Sequence, residues 1–266
     1  LAGGSSLNEK NKLRDTVRFG TQADLYADML TQAASSQQIP GGFQWFGTLP
    51  GVPTFGQVIF SQLPAATRQA IMNNPTARAA WLNPLPSNVG AGQNNDNYTV
   101  DTSAFALFTH NIISFSDNIK LTLGLRYNHE TKKLTADLNT VNPGCTALIN
   151  SPYASAVGLA GAASLLVCNP TVNPQTNGLH KTKRSDSEFT GTAKLAIKLD
   201  DGIMFYGGYD RGFKSGGYNL DRGTFSYPLY GGTVNINDLG FGPETVDAYE
   251  IGIKTNITRE FTFNAT

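Results

Sequence analysis

Strict period-two alternation constrains this chain more than any other feature. Ile119, Leu121, Leu123, Leu125 and Tyr127 alternate with Lys120, Thr122, Gly124, Arg126 and Asn128. Phe189, Gly191, Ala193, Leu195, Ile197 and Leu199 alternate with Glu188, Thr190, Thr192, Lys194 and Lys198. Tyr249, Ile251 and Ile253 alternate with Glu250, Gly252 and Lys254, and Phe261 and Phe263 with Thr262 and Asn264. Such runs are strands with one apolar and one polar face. The segment 102–116 reads as a partner strand, although Phe105, Leu107, Phe108, Ile112 and Ile113 do not share one face. Short turns at Ser116–Asn118, Asp200–Gly202 and Thr258–Glu260 join the strands into three hairpins. Six strands are expected, near 102–116, 119–135, 186–199, 203–214, 244–257 and 260–266.

The remaining texture is irregular. Residues 1–98 are rich in Gly, Pro, Ser, Asn and Gln, and are expected to form a long external loop region with short helices. Thr21 with Asp24 suggests a helix start before Leu25, and Pro64 and Pro75 open further helices through Ile71 and Trp81. Residues 99–266 are expected to carry the strands, with long connections at 136–185 and 214–243.

Alternation alone also fits a soluble sandwich or barrel. Strands of about 11–16 residues exceed the 5–6 usual in soluble sheets and suffice for a tilted bilayer crossing. Connections that run short, then long, match outer-membrane barrels with periplasmic turns and external loops. Lipid forces every backbone N–H and C=O to pair internally, so the barrel must close. The fold expected is therefore all-β with helical loop insertions, part of a transmembrane antiparallel β-barrel. The chain opens without Met and stops inside a strand pattern, so further strands are expected outside it. On this reading Ile119, Leu121, Leu123 and Leu125 face lipid, and Lys120, Arg126, Glu188, Lys194, Glu250 and Lys254 face the lumen.

Three segments then resemble one family. "SAFALFTHNIISFSDNIKLTLGLRYNHETKKL", with Gly124-Leu125-Arg126-Tyr127, looks like a hairpin of the TonB-dependent outer-membrane receptors. "MFYGGYDRGFKSGGYN" resembles that family's strand ending in Gly212-Phe213-Lys214-Ser215-Gly216-Gly217, and "FGPETVDAYEIGIKTNI" its Pro243-Glu244-Thr245 and Tyr249-Glu250-Ile251-Gly252 element. The segments most resemble receptors typical of sphingomonad-like bacteria. The resemblance implies a barrel of about 22 strands with an N-terminal plug domain that would lie outside this chain. It implies import of a scarce ligand of the iron-siderophore, cobalamin or oligosaccharide class, energised through the plug by the TonB complex. Its partners would be outer-membrane lipid, lipopolysaccharide and the external ligand. A passive porin or structural barrel is the alternative, and a soluble β-rich binding module a more distant one.

The chemistry beside it is sparse. Twenty basic and twenty acidic side chains leave no net charge, which argues against a nucleic-acid binder. No enzyme is indicated: there is no Gly-x-Ser-x-Gly elbow, and Glu188, Glu244 and Glu250 fall on polar strand faces. Gly208 to Ser215 lacks the Gly-Lys step of a phosphate-binding loop. His110, His129 and His180 stand apart from zinc-ligand spacing, and no metal or cofactor is expected. Cys145 and Cys168 share one loop, and an exported chain meets an oxidising compartment, so a disulfide is expected over free thiols. It would be worth about 3 kcal/mol by loop entropy. The Ala-rich run Ala156 to Val167 between them should be compact or helical. Phe43, Trp45, Phe46, Trp81 and Tyr98 are candidates to stack on a ligand, or else to pack the loop against itself. His180, Lys181, Lys183 and Arg184 form a basic cluster suited to an anionic ligand or to lipopolysaccharide phosphates.

Overall fold

The backbone of the computed structural model is an antiparallel sheet of seven strands with helical loops at one end. The structure describes residues 1–200, 202–225, 234–256 and 261–266. The strands are β1 (Ala2–Asp15), β2 (Asp96–Ser116), β3 (Ile119–Leu138), β4 (Gly178–Asp200), β5 (Ile203–Lys214), β6 (Glu244–Asn256) and β7 (Thr262–Ala265). Each pairs with its sequence neighbour, and the sheet is open, with β1 and β7 at its edges.

Five of the expected strands appear: β5 and β6 lie close to their expected limits, whereas β2 and β4 begin well before theirs, at Asp96 and Gly178, and β3 runs on to Leu138; β7 begins at Thr262. The turn at Thr258–Glu260 lies outside the described residues, as does Asp201 of the other short turn. The first 98 residues are not all loop, because β1 pairs along β2 from Ala2↔Thr109 to Asp15↔Asp96. The first long connection is therefore 16–95. The second runs 139–177 and the third 215–243, each shorter than its expected span because the flanking strands continue further.

Register sorts the side chains. Ile119, Leu121, Leu123, Leu125 and Tyr127 pair with Ile197, Leu195, Ala193, Gly191 and Phe189. The same face continues through Phe205 and Tyr209 to Ile253, Ile251 and Tyr249. Phe105, Leu107 and Ile113 join it from β2, while Phe108 and Ile112 fall on the other face, which explains the untidy alternation there. This apolar face is bare: Tyr249 and Ile251 are each 81% exposed. An apolar sheet face of this extent is stable only against another apolar medium.

Aromatic rows bound the band. Phe105, Tyr127 and Phe189 stack across three strands, with centroids 6.0 and 5.0 Å apart, and Tyr209 lies 5.1 Å from Tyr249. Phe115, Phe205 and Phe263 mark the opposite margin. Phe105 and Phe115 are ten residues apart, about 33 Å along the strand or about 25 Å along the barrel axis at ~40° tilt. That is the height of an outer-membrane apolar band with its two girdles.

β2, β3 and β4 run 21, 20 and 23 residues, far past the upper girdle. Their far ends carry a body built from two loops. Loop 16–95 supplies α1 (Ala23–Ser35), α2 (Phe55–Ser61), α3 (Ala65–Met72) and α4 (Pro75–Leu82). Loop 139–177 supplies α5 (Pro143–Ile149), a 3₁₀ stretch (Ala154–Ser164) and α6 (Leu165–Cys168). Pro64 and Pro75 open α3 and α4 as expected, and Asn74 caps α4 by accepting from Ala77 N at 3.0 Å. Thr21 does not cap α1: Gln22 holds the cap position, and Asp24 turns inward to accept from Asn88 N at 3.2 Å. The body has its own core of Phe43, Trp45, Phe55, Leu148, Tyr153 and Val167. Cys145 and Cys168 are bonded within it, Cα atoms 5.0 Å apart, with the compact 3₁₀ and α6 run between them.

Candidate functional site: the polar face and the strap across it

The face opposite the apolar band carries the charge. Lys120, Arg126, Glu188, Lys194, Glu250 and Lys254 all share it by register. At membrane depth the groups are bonded to one another. Lys194 meets Asp210 at 2.9 Å, and Tyr206 donates to Glu250 at 2.9 Å. Arg126 donates to Asn128 at 2.6 Å, and Asn128 donates to Thr190 at 3.2 Å. A wet, hydrogen-bonding wall results.

Above the girdle the chain crosses this wall. β4 and β5 pair up to Gly191↔Arg211 and then separate. Past that point Arg211 reaches back to Glu188 at 3.2 Å, and Ser215-Gly216 tucks over the polar face. Lys132 donates from Nζ to Ser215 Oγ at 2.6 Å and to the Gly216 carbonyl at 2.7 Å, while Ser215 and Lys132 both meet Glu130. Asp186 accepts from Gly216 N at 3.1 Å and from Arg184 at 2.9 and 3.0 Å. A Cβ at Gly216 would collide with Arg184 and with the Phe241 carbonyl, so only glycine admits the strap this close. Burial pushes the Glu130 carboxyl up, but bonds from Lys132 and Ser215 more than reverse this and hold it below the usual range. Asp186 is held low chiefly by the Arg184 guanidinium.

Beyond the strap, the described parts of connection 215–243 fold down on the same face. Phe225 and Leu239 pack on Tyr98, Val100, Leu134, Ala136 and Leu138. Arg222 enters this core and forms an ion pair with Asp96: Nη2 donates to Oδ1 at 3.1 Å, and Nε lies 2.9 Å from Oδ2 without hydrogen-bond geometry. Burial raises the Asp96 pKa and lowers that of Arg222, yet the pair keeps each charge partnered. Burial, with the Asp96 charge adding to it, pushes the Tyr98 phenol up to about 12.

The aromatic candidates divide. Phe43, Trp45 and Tyr98 are each 1% exposed and offer no surface to a ligand. Phe43, Trp45 and Phe55 form a triangle of centroids 4.9–5.2 Å apart, and Trp45 Nε1 donates to Ala163 O at 3.2 Å, joining loop to loop. Trp81 is half-buried, 5.8 Å from Tyr153, and Phe46 packs over Gly144. The basic cluster also divides, because period two separates His180 and Arg184 from Lys181 and Lys183. The former pair lies on the polar face and the latter on the opposite one.

Sequence reasoning missed two groups. Asp28 is fully buried and accepts from Trp45 N, Phe46 N, Thr48 N and Thr48 Oγ1 at 2.8–2.9 Å. Nothing local in the sequence links it to residues 45–48. Thr54 and Gln57 form a reciprocal cap on α2, with bonds of 3.3 and 3.0 Å. The Thr-x-x-Gln spacing was a usable signal for it.

Comparison with known proteins follows the same lines. Residues 3–266 match the family described as TonB dependent receptor-like, beta-barrel. No curated protein matches the chain. Among solved structures, the ferric yersiniabactin uptake receptor FyuA from Yersinia pestis is similar at 14% identity and a TM-score of 0.35, over 65% of this chain and 20% of that one.

Proposed function

We propose that this chain, which belongs to the TonB-dependent receptor β-barrel family, forms one wall and part of the outer mouth of an outer-membrane importer. The family is one of receptors in the bacterial outer membrane, not of enzymes. The chain spans about a fifth of the length of the FyuA chain it is similar to, so the whole protein's ligand and energy source are inferred. One finding carries the reading: residues 3–266 match the receptor barrel family. The structure fits it, because a girdled apolar face backs a charged face whose mouth is crossed by an inward-folded connection. A porin wall can share these structural features, and the family match is what favours the importer.

On this reading the polar face lines the lumen, and connections 16–95, 139–177 and 215–243 lie on the external side. The short turn at Asp117-Asn118 leaves little surface on the other side. Ligand is met by the outside of the loop body and by the wall around the strap. Phe43 and Trp45 hold that surface in shape from within. The ligand is bulky and scarce, of the siderophore, cobalamin or oligosaccharide class, and the TonB complex acts through a plug domain. The test is uptake by the full-length protein in cells starved for each ligand class. Uptake should stop when TonB is deleted or the proton gradient is collapsed. Uptake that persists under both conditions refutes the importer and leaves a passive pore.

A further inference from the structure

Helix α1 is built inside out. A helix at a protein surface turns its apolar stripe inward and its polar residues to water. In α1 the buried positions are Asp24, Ala27, Asp28, Thr31 and Ser35. The exposed ones are Leu25, Tyr26, Met29, Leu30 and Ala33, with Tyr26 64% and Met29 54% exposed. Residues four apart share a helix face, so each set forms one side of α1.

The loop body explains the polar side. Asp28 takes the amides of residues 45, 46 and 48, Ser35 Oγ accepts from Phe43 N at 3.0 Å, and Asp24 accepts from Asn88 N. The apolar side is covered by none of the described residues. Scattered exposed apolar residues need no explanation, but four large ones grouped on one helix face mark a contact surface.

The topology says what stands beside it. β1 ascends, with Ala2 opposite Thr109 inside the apolar band and Asp15 opposite Asp96 at the upper end. Its other edge is free among the described residues, and backbone groups in lipid must be paired. In the full barrel another strand therefore lies about 4.8 Å from that edge. Barrel strands run antiparallel to their neighbours, so this strand descends, and its external connection leaves the wall next to Asp15. The link 16–22 from β1 to α1 reaches at most about 25 Å, and its residues 17 and 19 still bond to 94 and 92. Neighbouring connections in this chain already fuse: loops 16–95 and 139–177 share one core, with Phe55 5.9 Å from Tyr153. The buried side of α1 packs on that shared body, and its stripe lies on the far side.

We propose that the apolar stripe of α1 is the seat of the next external connection, the one carried by the barrel strand that pairs with the free edge of β1. That connection meets the stripe with apolar side chains, because Leu25, Tyr26, Met29 and Leu30 offer no charge to pair. The proposal rests on the family's membrane topology and not on import. Full-length protein carrying Met29→p-benzoylphenylalanine is irradiated in isolated outer membranes without added ligand, and cross-linked peptides are mapped by mass spectrometry. The expected product is an intramolecular bond from position 29 to the external connection adjoining β1. The same probe as Phe46→p-benzoylphenylalanine should bond to the segment around Gly144, which Phe46 packs over, and reports a folded body. Adding M29D/L30D to a Tyr26→p-benzoylphenylalanine protein should abolish the bond from position 26, whereas M29D/L30D should leave the Phe46 bond in place. No bond from position 29 while the Phe46 bond forms overturns the docking surface. A bond to a second copy, to any other molecule or to a connection elsewhere on the barrel overturns the occupant. Loss of uptake with the cross-link intact would count against the importer alone.

Discussion

Replacing Asp28 with Asn tests whether one buried carboxylate organises the loop body. The carboxylate accepts four hydrogen bonds at 2.8–2.9 Å, three of them from backbone amides of a segment about twenty residues away. Asn has nearly the same shape but one acceptor oxygen. If that oxygen keeps Trp45 N and Phe46 N, the amide nitrogen faces Thr48 N, donor against donor. The Thr48 hydroxyl can turn to accept, so one part-buried N–H is stranded, at about 1–3 kcal/mol. The two retained bonds lose their charge assistance, at roughly 0.5–1 kcal/mol each. The total is about 2–5 kcal/mol, against a body whose core is small. Hydrogen exchange of the peptide spanning residues 43–49, in full-length protein at pH 7, reads this directly. At about 1.4 kcal/mol per factor of ten, exchange should accelerate at least ~30-fold while β3 and β4 stay protected. Exchange at 43–49 within threefold of wild type would refute the assignment of Asp28 as the organising group.

Three further outcomes are expected. C145S/C168S should lower the stability of the loop body by about 3 kcal/mol for the 23-residue separation and leave the strands intact, read by limited proteolysis within 139–177. L123R, at the middle of the apolar band, should cost about 2–4 kcal/mol in refolding titrations into lipid vesicles, whereas T122R, facing the polar side, should cost far less. The strap should be acid-labile. Glu130 and Asp186 titrate below their ordinary values in the folded chain, so their stabilisation is complete above the unfolded carboxylate range and lost as pH falls through the folded values. Protease cutting within 215–225 should be alike at pH 7 and 5.5 and rise below about pH 4.

What was legible followed from local chemistry. β3, β4 and β6 could be read because their two faces meet different media, and alternation records that difference residue by residue. β1 could not. Its apolar-side residues Gly4, Ser6, Asn8 and Lys10 are as polar as Ser5, Glu9 and Asn11 on its other side, so no period survives. The disulfide was readable because both cysteines sit in one connection. The burial of Trp45 was not, since its packing on Phe43 and Phe55 is completed by the Ala163 carbonyl only after two separate loops meet. The basic cluster was misread as one object because adjacency in sequence outweighed the strand's period, which divides it. The strap was hidden for a similar reason: Ser215 and Gly216 matter through Glu130, Lys132 and Asp186, none of them near in sequence.

The height of β2, β3 and β4 above the girdle has a consequence for how such a protein can change. From Tyr127 to Leu138 the strand rises about 36 Å beyond the last residue that touches lipid. The body at the summit has its own aromatic core and its own covalent bond, and no side chain of its core is shared with the membrane band. Insertion into the bilayer is decided below and the shape of the loop body is decided above, with a stiff mast between them. Substitutions at the summit therefore escape the constraint that lipid imposes on the wall. One wall can carry successive summits, and the summit can be replaced as a cassette while the barrel stays as it was.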